Sequence, residues 1–109
     1  MPISDVPFTV TDWSRVPVTE HKGDRGVATW RTFEQGSIRV RLVEYSPGYV
    51  ADHWCQRGHV LYVLKGELLT ELANGEQHML EAGMSYQVAD DTAPHRSRTT
   101  TGATLFIVD

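Results

Sequence analysis

The chain has 109 residues, 40% hydrophobic and 22% charged, with a single cysteine; this is room for one domain with one core, and an intramolecular disulfide is excluded. Its 10 basic and 14 acidic residues leave a formal charge of −4, which speaks against a nucleic-acid partner, because phosphate binding wants a concentrated basic surface. No apolar run approaches the ~20 residues that span a bilayer, the opening residues lack the regions of a secretion signal, and a lone cysteine suits a reducing compartment, so the expected setting is the cytoplasm, without membrane contact.

Residues 1–26 carry Pro2, Pro7 and Pro17 and read as an irregular arm with a short strand. A domain over 27–109 follows, built of short strands separated by turn signals, the pattern of an all-β sandwich or barrel. The candidate strands are 27–33, 37–45, 50–55, 59–64, 68–72, 77–80, 85–88, 95–99 and 104–108. Asn74 and Gly75 form the best two-residue hairpin signal, since a type I′ turn needs positive φ at both central positions. No segment holds a helical period for more than about a turn. The expectation is a closed or nearly closed antiparallel barrel of at least eight strands with little helix. In the strand 37–45, Ile38, Val40 and Leu42 share one side, read as buried, while Arg39 and Arg41 begin a mixed side that continues with Val43 and Tyr45. Charged side chains mostly stay at the surface, so the two arginines are expected in solvent; the alternative is a cavity mouth that receives an anionic ligand.

The chemistry concentrates between Gly48 and Gly66. Residues two apart on a strand share a face, so His53 and Cys55 are expected to project together while Trp54 points away. Gln56, Arg57 and Gly58 reverse the chain, and His59 opens the returning strand beside the pair. Imidazole and thiolate groups brought together in this way suit a metal ion.

This pattern resembles the first motif of the cupin superfamily: glycine, five residues, His-x-His, three or four residues, glutamate, six residues, glycine. Here Gly48 precedes His53 by four residues rather than five, Cys55 replaces the second histidine, His59 replaces the glutamate, and Gly66 is in register. The second motif is matched loosely from Gly83 to Pro94 and His95, with Ala89 and Asp91 in place of the usual proline and glycine. The resemblance covers roughly 27–109, and Asp52, His53, Trp54 and Cys55 make the sequence similar to the small group called DHCW-motif cupins. It implies an RmlC-like jelly-roll barrel with one divalent transition metal held by His53, Cys55, His59 and His95. Cysteine and an extra histidine soften the donor set toward zinc, nickel or copper; three histidines without the sulfur resemble the iron site of the cupin-fold thiol dioxygenases. The barrel is expected to admit a small molecule, and as an enzyme to be an oxygenase or isomerase. The alternatives are a non-catalytic small-ligand or metal-sensing module, and a redox role for Cys55.

The remaining candidates have plainer readings. Asp52 is assigned to a turn, His21 and His78 to the surface, and Arg96 and Arg98 to solvent. Trp30, Trp54, Tyr62 and Tyr86 are core or interface residues by default, with Tyr62 or Tyr86 open as a cavity wall. Phe8, Trp13, Val16 and Val18 have no evident place in a minimal barrel, and a homodimer is expected to cover them.

Overall fold

Period-two alternation of β-branched and aromatic residues yields eight strands in the computed structural model, which describes residues 2–109. They are β1 (Val18–Lys22), β2 (Val27–Gln35), β3 (Ile38–Tyr45), β4 (His59–Leu72), β5 (Gln77–Glu81), β6 (Ser85–Val88), β7 (His95–Arg98) and β8 (Ala103–Val108). Every pairing among them is antiparallel, in the order β1-β2-β3-β8-β4-β5, with β6 and β7 also paired to β4. The helical content among the described residues is one 3₁₀ turn at Trp13–Arg15, capped by Asp12, whose carboxylate accepts from the Ser14 N–H. No helix is long and apolar enough to cross a membrane.

The long strand β4 joins the two sheets. Its first half pairs with β6 and β8, and its second half with β5 and β7. The register against β8 slips between Val63 and Lys65, and Gly66 follows with φ +76°. A Cβ at Gly66 would run into the Gly102 carbonyl, so only glycine allows both the left-handed backbone and the close approach. The candidate strands 59–64 and 68–72 are therefore one bent strand. The core lies on its inner side: Leu61, Val63 and Leu68 pack with Val43 and with Ala103, Leu105 and Ile107 of β8, where inward and outward residues alternate along the whole strand. Each such large apolar side chain contributes about 1.5–3 kcal/mol by leaving water.

Two expectations need correction. Residues 50–55 do not form a strand; Val50 and Cys55 make single bridges, to Arg25 and Arg98 and to His95 respectively, with bends at 52 and 53 between them. The faces of β3 are also reversed, for Arg41 and Val43 are its buried residues while Ile38, Val40 and Leu42 are only partly covered. The cover comes from the N-terminal arm: Trp13 meets Phe106 edge-on at 6.0 Å, beside Leu42 in the β3–β8 register. Arg31 Nη1 holds the arm by donating to the carbonyls of Trp13 (3.0 Å) and Val16 (2.7 Å).

Candidate metal centre

The inner ends of β3, β4, β6 and β7 and the loop before β4 enclose a cavity of about 280 Å³. Cys55 enters it because its backbone N–H donates to the His95 carbonyl (2.7 Å) and its carbonyl accepts the His95 N–H (2.9 Å). That reciprocal pair ties the loop to the first residue of β7. His59, the first residue of β4, faces the same space after Gly58, whose N–H donates to the Asp90 carboxylate at 2.6 Å. The ligand atoms of Cys55, His59 and His95 all lie within 4.8 Å of one another.

Both imidazoles are buried, His59 at 8% and His95 at 3% exposure, and their Nε2 atoms stand 3.1 Å apart. His95 Nδ1–H donates to the Ala93 carbonyl at 2.8 Å, which fixes the tautomer and leaves Nε2 for the cavity. His59 Nδ1 faces the Asp109 carboxylate at 3.7 Å, too long for a hydrogen bond, and has no such partner among the described residues. The Tyr86 hydroxyl lies within hydrogen-bond distance of His59 Nε2, at 2.9 Å. Two imidazole nitrogens this close either share a proton in an N–H···N hydrogen bond or, both deprotonated, converge on a cation. The hydrogen bond between His95 and Cys55 pulls the thiol below its ordinary range against the opposing effect of burial, and raises the imidazole. Cys55 and His95 thus favour each other's charged forms, and to a metal the trio offers two nitrogens and a sulfur. Nitrogens bound at about 2.0–2.1 Å to a tetrahedral ion stand roughly 3.3 Å apart, close to the observed separation.

Of the four sequence-derived ligands, the structure brings Cys55, His59 and His95 together. His53 also lines the cavity, but its ring turns to Asp52, Nδ1 to Oδ1 2.7 Å, and its side chain is 71% exposed. Of the two candidate tyrosines, Tyr86 lines the cavity, together with Tyr45 and Tyr49, while Tyr62 is exposed. His78 is exposed beside Glu76. His21 is stacked on Trp30 with ring centroids 3.8 Å apart rather than free in solvent.

Arg39 and Arg41 line the cavity, which corrects the solvent reading. Arg39 grips Asp109 through Nε (3.0 Å) and Nη2 (2.9 Å), and Arg41 Nη2 reaches the same carboxylate at 3.2 Å. Arg96 also lines the cavity, with its guanidinium 4.8 Å over the Trp54 ring, whereas Arg98 is exposed and paired with Glu71. Asp109 is the residue that sequence reasoning missed. Its available signal was the uncompensated pair of arginines on a strand face that ends in Val43 and Tyr45.

Comparison with family models and with curated proteins gives no match. Solved structures do match. Hydroxypropylphosphonic acid epoxidase from S. wedmorenis aligns at TM-score 0.74 and 16% identity over 94% of this chain and 59% of its own. A structure of the DMSP lyases RdDddP and RnDddQII aligns at 0.62 and 23% over 74% of this chain and 46% of that one. A cupin-2 domain containing protein from Shewanella frigidimarina aligns at 0.60 and 19% over 73% and 78%. The chain thus spans little more than half of the epoxidase. At these identities the likeness concerns architecture: the single all-β domain is a cupin fold.

Proposed function

We propose that this chain, a cupin by fold, holds one divalent transition metal through Cys55, His59 and His95, with His53 as a fourth ligand, and offers it to a small molecule in the cavity. The observation that carries the reading is the facing Nε2 pair of His59 and His95, 3.1 Å apart with the sulfur alongside. His53 lines the same cavity, and its exposed pairing with Asp52 costs little to break. One thiolate with imidazoles favours zinc, nickel or copper over harder ions, and iron remains compatible with the histidines. When bound, such an ion supplies Lewis acidity or, as iron, the redox chemistry of an oxygenase, and the enzymatic form of the proposal is an oxygenase or isomerase.

The chain's own groups have definable parts. His95 is held in register by Ala93. Tyr86 stays protonated, since burial drives its hydroxyl far above the ordinary range, and its O–H, 2.9 Å from His59 Nε2, can turn to a ligand oxygen. Leu61 and Ile107 make part of the wall apolar, which strengthens polar interactions inside. A homodimer belongs to the same proposal, supported by Phe8 and Val10 at 97% and 83% exposure.

Elemental analysis of protein purified without chelators or a histidine tag tests the metal. About one ion per chain is expected. His59→Ala and His95→Ala should each lose most of it, His53→Ala less, and His78→Ala none. Cys55→Ser decides whether sulfur is a ligand. Full metal retention in both the His59 and His95 variants would refute the site.

A further inference from the structure

We propose that the arginine side of the cavity is an oxyanion subsite, and that the small molecule is an organic acid or phosphate ester with its anionic head on Arg41 and Arg57. The inference rests on the small-molecule reading above but not on the metal.

The charge distribution carries it. Four arginines, Arg39, Arg41, Arg57 and Arg96, line the cavity, and no aspartate or glutamate lines it among the described residues, although the whole chain is net −4. Asp109 offsets only part of this. It makes a two-pronged pair with Arg39, and its Oδ2 is then shared at 3.2 Å by Arg41 and at 3.6 Å by Arg57. Three guanidinium groups thus meet one carboxylate, and two of them, Arg39 and Arg41, are largely buried, where unpaired charge is costly.

Arg41 shows the deficit most sharply. The residue is 6% exposed, and its Nε has no hydrogen-bond partner among the described residues. Its guanidinium lies 4.4 Å over the Trp30 ring, which sets the plane of the fork before any ligand arrives. Arg96 repeats the pattern, with a buried Nε lacking a partner and Glu71 no nearer than 3.7 Å. Guanidinium forks of this kind recognise carboxylate and phosphate alike. The cavity volume of about 280 Å³ falls at the small end of ligand pockets, ~300–1,000 Å³, so the acid is small. Its other end then faces Cys55, His59 and His95.

The test is isothermal calorimetry of the full chain, metal-free and zinc-loaded, with malonate, succinate and inorganic phosphate, each against sodium chloride at matched ionic strength. Saturable one-to-one binding of at least one of the three is expected, and which one identifies the head group. Arg57→Gln, half-exposed and therefore expected to fold, should weaken binding at least about tenfold, as loss of a charge-assisted hydrogen bond does. Arg15→Gln removes the same charge from an exposed turn and should leave affinity unchanged. Arg96→Gln serves as a second cavity variant. Absence of binding above the chloride control, or wild-type affinity in both the Arg57 and Arg96 variants, would overturn the subsite. Metal content measured on the same samples separates the two proposals: anion binding without metal uptake sinks only the metal, and metal uptake without anion binding sinks only the subsite.

Discussion

Asp109 Oδ2 lies within 3.7 Å of Arg39, Arg41, Arg57 and His59, so one buried oxygen anchors one wall of the cavity. Burial pushes this carboxyl up, but the nearby His59 ring, the hydrogen bonds from Arg39 and the charges of Arg41 and Arg39 outweigh it and hold the group well below the usual carboxylate range. A depressed folded-state value means stability that is fully present above the unfolded value, ~3.9, and is lost as pH falls through it toward the folded value. The Asp109 contribution to the urea unfolding midpoint should therefore be constant above about pH 5 and fall below it. Asp109→Asn should cost about 3–5 kcal/mol at pH 7, as breaking a buried ion pair does, and should flatten that acid slope. An unchanged slope in the variant would show that other carboxylates govern acid unfolding.

At the scale of elements, alternation divides a strand into two faces without saying which face is inside. Hydrophobicity pointed inward with Ile38, Val40 and Leu42, yet Arg41 and Val43 are the buried side. The arm covers the aliphatic face with Trp13 against Phe106, and Asp109, 70 residues from Arg39 in sequence, supplies the countercharge that permits arginines inside. Both compensations are long-range and therefore invisible to a local pattern. The Cys55–His59–His95 cluster was legible for the opposite reason, because Cys55 and His59 sit four residues apart across a turn and His95 lies in a recognisable second motif. His53 was assigned by strand alternation, which does not apply to a loop with bends at 52 and 53. Gly66 was legible as a motif position, but its physical duty emerges only in the bend of β4. Gly66→Ala should destabilise by at least about 1–3 kcal/mol, the usual cost of left-handed strain, with the Gly102 clash added. Thermal melting reads the loss, and the fraction that folds should keep its metal, because Gly66 touches none of the ligands.

The whole molecule leaves apolar surface on the side away from the cavity. Val60, Tyr62 and Leu64, the outward residues of β4, are 40%, 41% and 43% exposed, and Met84, whose carbonyl accepts the Val63 N–H, is 46% exposed. The arm seats Trp13 on its own sheet but leaves Phe8 and Val10 uncovered. Free strands at either end of the sheet order, β1 and β5, add unpaired backbone that a second copy can shield. Isolated apolar residues at a surface are ordinary; an exposed apolar pair on an arm together with an apolar strand face is what a two-fold contact would bury on both copies at once. The expected species in sedimentation at micromolar concentration therefore has about twice the 12.3 kDa chain mass. Phe8→Asp combined with Val10→Asp should shift it to the single chain while the β-type far-UV spectrum and the metal content stay as they were, since neither residue reaches the cavity. A wild-type protein that sediments only as the single chain would mean that the arm merely closes its own sheet.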